Sequence, residues 1–163
     1  IHKNEQMEVI LLSINETKNP NLEKLIIDYS KRINHYIKFT NIEIQKIKSS
    51  RKNNIEEQKN KEGIQIKKFL KKSDICVLLD ETGRSLNSVE FSKSFNNYYW
   101  RKKKRLVFII GGAFGFSKEI YSIIFEKFSL SKMTFNHQML KLFFCEQLYR
   151  ANTILKNEKY HNK

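Results

Sequence analysis

The chain has 163 residues and a mass of 19.6 kDa, room for one domain, and its 40% hydrophobic and 12% aromatic content can fill a core, which argues against global disorder. A run of about eighteen apolar residues, as a membrane helix needs, is missing, and the apolar stretch Val9–Leu12 is too short for a secretion signal. Thirty-one basic against seventeen acidic residues give a formal charge of +14, which favours polyanionic partners, nucleic acid first among them.

Residues 1–6 read as a leader or tag remnant and 7–163 as a single domain. Residues 8–14, EVILLSI, form an apolar run too short for a helix and predict a buried strand. Pro20 then opens a helix, with apolar residues at Leu22, Leu25, Ile26, Tyr29 and Ile33. The alternation of Phe39, Ile42, Ile44 and Ile47 predicts a second strand with one wet face. Residues 50–72 read as a charged loop leading into an amphipathic helix, and 74–80, DICVLLD, as a buried strand closed by a turn at Asp80–Gly83. A helix over 87–99 starts with the capping-box pattern NSVE. The basic run RKKKR (101–105) leads into the strand LVFII, which stops at Gly111-Gly112. A helix over 117–125, a short strand or turn at 128–130 and a long helix over about 136–156 complete the order. Alternating strands and helices predict an α/β fold, with a mostly parallel sheet of five to six strands covered on both faces.

Composition tempers the charge. Lysine supplies 25 of the basic residues, and Lys, Ile and Asn fill 61 positions against two alanines, the mark of an AT-rich genome. Placement says more: the RKKKR run reads as a solvated turn or a phosphate-facing patch, and residues 46–72 are Lys-rich as well. Cys76 and Cys145 lie in apolar runs without metal-ligand spacing, which reads as buried thiols in a reducing compartment. There is no HExxH, GxSxG or Walker pattern, and no metal site is expected.

Three of the five glycines fall in one turn, GGAFG (111–115), directly after a central strand. In open parallel sheets ligands gather beyond the carboxyl ends of strands, where glycine lets a backbone approach them closely. The second strand end, Leu78–Gly83, would lie beside it, its Asp80 and Glu81 reading more readily as solvated turn acids than as catalysts. The segment from Ser129 to Gln138 is neither periodic nor charged, a loop of the kind that carries function. The long last helix is apolar on two sides, one through Leu140, Phe144 and Leu148, the other through Met139, Leu142 and Tyr149, beside an i,i+4 pair of Glu146 and Arg150. Such a helix reads equally as one broad core face or as a covered partner surface, and in the second case as a homodimer.

The motifs IIGGAFGFS (109–117), SLSKMTFNHQM (129–139), EQLYRA (146–151) and Tyr160-His161, with LLDETG (78–83) and Lys61-Glu62-Gly63 upstream, occur colinearly from Met7 onward. In this the chain resembles the RlmH family of SPOUT-class RNA methyltransferases. The resemblance implies an S-adenosylmethionine-dependent enzyme that methylates N3 of a pseudouridine in large-subunit (23S-type) ribosomal RNA. It implies a homodimer, a C-terminal trefoil knot, and the bacterial cytoplasm or an organellar matrix as its place. Carried over by position, Leu79, Gly111, Leu130, Ser131, Lys132, Met133, Thr134 and Phe135 would hold the cofactor. Tyr160, His161, Arg150 and His137 would lie nearest the incoming base.

Chemically, His161 or His137 would take the N3 proton, and Arg150 or Lys163 would stabilise the anion. The family usually has proline before the histidine, where this chain has Asn136, and a glycine turn after the first strand, where this chain reads Ser13-Ile14-Asn15-Glu16. The alternative is a non-enzymatic RNA- or ribosome-binding factor on the same fold with a degenerate pocket. A flavodoxin-like nucleotide binder is a third reading, disfavoured by the lateness of the glycine turn.

Overall fold

A computed structural model describes residues 6–47 and 54–162, so part of the charged loop before the second helix, and Lys163, lie outside the described residues. Five strands, β1 (Glu8–Ile14), β2 (Lys38–Ile44), β3 (Ile75–Ser85), β4 (Arg105–Ile110) and β5 (Lys127–Ser129), form one sheet in the order β2-β1-β4-β3-β5, all parallel. Five helices, α1 (Pro20–Ile33), α2 (Ile55–Phe69), α3 (Ser88–Tyr99), α4 (Lys118–Ile123) and α5 (His137–Leu155), alternate with them.

The pleat divides each strand between two cores. Val9 and Leu11 of β1 and Leu106 and Phe108 of β4 meet α1, α3 and α5, whereas Ile10, Leu12, Val107 and Ile109 meet α2 and α4. Crossovers through α1 and α3 run one way along the sheet, and those through α2 and α4 return on the other face. All four therefore share one hand, as right-handed crossovers require. Every strand's carboxyl end consequently faces the same rim.

Several start signals hold. Asn19 caps α1 ahead of Pro20, and Asn87 with Glu90 makes both halves of a capping box on α3. The two departures from the family pattern find local solutions. Asn15 takes a left-handed φ of 78°, a conformation glycine would supply and asparagine tolerates. Asn136 caps α5 through its side chain, which accepts from Gln138 N at 2.9 Å.

Four expectations need correcting. β3 does not end at Asp80: it leaves the ladder after Leu79 and rejoins β5 at Arg84, so residues 80–83 form an excursion from the strand. Gly83 is needed there, because a Cβ would lie 2.5 Å from the Phe128 backbone. Arg105 does not belong to the solvated basic run: it starts β4, pairs with Asp74 at 2.8 Å and lies over the Phe69 ring. Cys145 is buried as expected, but Cys76 only partly so. On α5 the two apolar sides are one broad face, since Leu140, Leu142 and Tyr149 pack against the same core as Phe144 and Leu148.

Candidate active site

At the rim, the ends of β3, β4 and β5 and the first turn of α5 enclose a cavity of about 380 Å³. Its floor is the turn after β4, where a Cβ on Gly111 would come within 3.1 Å of the Phe116 ring, and one on Gly112 within 2.5 Å of either Glu62 carboxylate oxygen. Side chains thus crowd both glycines from behind, so that a Cβ on Gly111 would press on the Phe116 ring and one on Gly112 would make Glu62 shift. Gly115 completes the turn with a φ of +80° and donates from N to Gly112 O at 3.2 Å.

One wall is the loop after β5. Ser129 Oγ donates to Ser131 O at 2.6 Å, Met133 N donates to Ser131 Oγ at 2.9 Å, and the Phe135 ring meets Phe143 of α5 edge-on at 5.1 Å. Leu79, Leu130, Phe135 and Leu140 make the lining apolar. On the opposite rim stand Asp80, Glu81 and Thr82. Asp80 is no idle turn acid: it accepts from Thr82 N at 2.9 Å, from the Thr82 hydroxyl, and from Tyr121 OH at 2.5 Å. Burial opposes its charge, but the Thr82 and Tyr121 hydrogen bonds and the nearby Lys127 outweigh this and hold the carboxyl below its ordinary value. The same contact and burial push the Tyr121 hydroxyl up to about 12.

His137 lines the cavity from the start of α5, with Nδ1 buried and without a hydrogen-bond partner. Burial first, and the Lys141 ammonium one turn on, hold its imidazole below 6.5 and therefore neutral. Lys141 itself is completely buried. Its Nζ donates to Asn15 O at 2.5 Å and Thr17 Oγ1 at 3.2 Å and lies 3.4 Å from Glu43 Oε2. Gln138 Oε1 accepts from Lys18 N and Asn19 N, at 2.8 and 2.9 Å, so the first turns of α5 are fastened to the β1–α1 connection.

At the far end of α5 is a separate polar cluster. Glu146 Oε1 accepts from Arg150 Nε at 3.1 Å, Arg150 NH2 at 2.5 Å and Tyr160 OH at 3.1 Å. Arg150 NH1 lies 3.3 Å from His161 Nδ1. A guanidinium only donates, so Nδ1 is the acceptor and the ring hydrogen stands on Nε2. The Tyr160 ring packs on Tyr149 at 4.7 Å and under Arg150, its hydroxyl 3.4 Å from that of Tyr29. Asn157, at φ 55°, turns the tail back, with Glu158 N donating to Thr153 O at 2.9 Å.

Seven of the eight expected cofactor residues line the cavity, and Lys132, exposed, does not. Of the four residues expected near the base, the fold joins Arg150, Tyr160 and His161 but leaves His137 apart. Arg150 stands thirteen helical steps after His137, roughly 20 Å at the helical rise. The sequence alone does not assign a role to Glu62 behind the glycine turn, although it falls in the motif Lys61-Glu62-Gly63, nor to Lys141, whose signal is a lysine four residues after His137 on a buried helix. Among the described residues no group of three or more His, Cys, Asp or Glu side chains converges as a metal site would, and no helix is long and apolar enough to cross a membrane.

A glycine-floored cavity at strand ends, closed by a loop that runs into the last helix, is where comparison with known proteins bears most directly. The family model described as "Predicted SPOUT methyltransferase" matches residues 7–161. The chain belongs to the SPOUT methyltransferase family. Its relatives include proteins named "Ribosomal RNA large subunit methyltransferase H" from Christiangramia forsetii (48% identical), Flavobacterium psychrophilum (47%) and Bacteroides fragilis (43%). Each aligns over 157 residues, 96% of this chain and all of the relative. SPOUT methyltransferases generally use S-adenosylmethionine, and the family implies the C-terminal trefoil knot, as the resemblance did.

The residues present fit that cofactor. An apolar wall suits a flat heterocycle, bare glycine backbone permits close approach, and the ionised Asp80 at the rim favours a cationic sulfonium.

Proposed function

We propose that this chain methylates N3 of a pseudouridine in large-subunit ribosomal RNA, in the bacterial cytoplasm, as a homodimer of one SPOUT domain over residues 7–163. The observation that carries the reading is the pairing of a glycine-floored cavity with a neutral, unpartnered imidazole at its edge. Full-length relatives named as ribosomal RNA methyltransferases support the enzyme over a degenerate RNA-binding factor.

When bound, S-adenosylmethionine supplies a methyl group already activated for attack. The cavity residues Leu79, Gly111, Leu130 and Phe135 orient it and exclude water. Pseudouridine N3 lies between two carbonyls, so loss of its proton spreads negative charge onto their oxygens. His137, whose imidazole burial holds below its ordinary value, accepts that proton at a ring nitrogen. His161, with its hydrogen on Nε2, donates to a carbonyl oxygen instead of acting as base, and Arg150 adds positive charge beside it. Tyr160 positions both rather than meeting the base, because its ring and hydroxyl are engaged within the tail cluster. Since roughly 20 Å of helix separates these groups from His137, a second copy must bring its tail to the cavity of the first.

The test uses large-subunit RNA or ribosomes lacking the modification, incubated with S-adenosylmethionine and digested for mass spectrometry. One N3-methylpseudouridine per RNA is expected, with a dimer in sedimentation. Cofactor binding without transfer to any ribosomal substrate would falsify the enzyme reading.

A further inference from the structure

Methyl transfer leaves unused a second concavity, of about 490 Å³, at the β5 edge of the sheet. It lies between the returning arm of β3 (Gly83, Arg84), α3 (Ser94, Asn97, Tyr98) and the segment entering β5. Thr82 lines both this groove and the cofactor cavity, and Lys127 Nζ donates to Thr82 Oγ1 at 2.9 Å, so the two share a lip.

Its chemistry is unlike that of a protein core. Arg84, Arg101 and Lys127 line it, and the carboxylate in the lining, Glu126, is bonded by Arg101 NH1 at 2.9 Å. The exposed Lys102 and Lys103 continue from Arg101. Next to each member of that ion pair in sequence stands a bare aromatic ring: Phe125 is 81% exposed and Trp100 66%. The Arg101–Glu126 bond ties together the two segments that carry these rings; Phe125 lines the groove, and Trp100 flanks Arg101 with its indole N–H donating to Asn96 Oδ1 at 2.9 Å. Neither ring belongs to the buried core, so both faces remain free for contact with a partner.

Cations with isolated rings fit a phosphate backbone whose bases are splayed out. Bases in a duplex are stacked on each other and cannot lie on side-chain rings, whereas loop bases can. A protein partner would call for a contiguous apolar centre instead of separated rings among cations. We infer that this groove docks an unpaired loop of the RNA substrate away from the methylated base, with Phe125 and Trp100 as stacking platforms and Arg84, Lys102 and Lys103 as phosphate contacts. The inference rests on the reading that the substrate is RNA.

Two variants test it, F125S/W100S and R84S/K102S/K103S, neither touching the cofactor cavity. Affinity for protein-free large-subunit RNA is measured by fluorescence anisotropy over a range of salt, alongside methylation kinetics on ribosomes, calorimetric S-adenosylmethionine binding and thermal unfolding. The aromatic variant should lose about thirtyfold or more in RNA affinity with an unchanged salt slope. The cation variant should weaken binding and flatten the slope of log affinity against log salt by about 2, as three lost single-strand contacts predict. In both, KM should rise while kcat, cofactor affinity and the unfolding midpoint hold. Wild-type RNA affinity and salt slope in both variants overturn the proposal. So does a KM that rises on ribosomes while affinity for protein-free RNA stays the same, which would assign the groove to a ribosomal protein. A wild-type protein that binds RNA at this groove but transfers no methyl leaves the docking intact and sinks the enzyme reading alone.

Discussion

The two ends of α5 are built to different rules. At its start, His137 and Lys141 lie within the protein, their charges governed by burial and by a few fixed partners: Asn15, Thr17 and Glu43. At its finish, Arg150, Tyr160 and His161 form a surface cluster in which Glu146 fixes the guanidinium and the tail folds back over the helix. The first end makes a cavity and the second presents donors, and a helix of 19 residues is too rigid to bring them together. In the proposed homodimer, a site divided in this way is completed between two chains.

Mixing variants is the sharpest way to break that comparison. A chain with R150A should be inactive in its donor half and one with G112A in its cavity half, each cut by two orders of magnitude or more. Co-refolded in equal amounts, they should regain roughly a quarter of wild-type activity, because random pairing makes half the dimers mixed and each mixed dimer has one intact site. No recovery, in dimers shown to be mixed, would mean that each chain works alone.

The cavity end can be broken from behind. In G112A the new methyl lies 2.5 Å from both Glu62 oxygens, an overpacking worth about 1–3 kcal/mol if the helix must shift. Calorimetry should show lost cofactor binding, and E62A in the same chain should restore part of it. A double variant no better than G112A would place the effect in the turn itself and not in Glu62.

Much of this was legible in the sequence. Apolar runs and cap residues located the strands and helices, because burial and capping are local. The glycine turn pointed to the rim, because glycines directly after a buried strand suit a close backbone approach at the carboxyl end of a parallel sheet. What escaped depends on packing between distant elements. That Glu62 of α2 excludes side chains from Gly112, or that Lys141 reaches Asn15 across 126 positions, follows only once α2 and α5 are docked. The separation of His137 from His161 was hidden for the opposite reason: motif spacing records order along the chain and not distance in space.

Lys141→Met tests the buried end more finely. It removes the ammonium but keeps much of the stem, stranding Glu43 and the Asn15 carbonyl, at about 3 kcal/mol of stability by thermal unfolding. Its pH signature is separable. Because the His137 value in the folded chain is held below 6.5, the neutral ring stabilises the fold above pH 6.5 and that contribution is lost as pH falls through the folded value. The acid limb of kcat/KM should therefore lie below 6.5, and K141M should move it upward by removing a repelling charge. An acid limb above 7 that ignores K141M would exclude His137 as the base.

The smallest effect tests the tail. Tyr160→Phe keeps the ring on Tyr149 and under Arg150 but deletes the hydroxyl shared with Glu146 and Tyr29. Hydrogen bonds of this kind contribute about 0.5–1.5 kcal/mol, spent here on docking the tail and not on global stability. The unfolding midpoint should hold, kcat should fall several-fold, and backbone exchange near His161 should quicken. Tyr160→Ala, which also removes the stacking surface beneath Arg150, should cost considerably more. Equal losses in the two variants would mean that the hydroxyl meets the substrate directly, and Tyr160 would then belong with the donors instead of with their support.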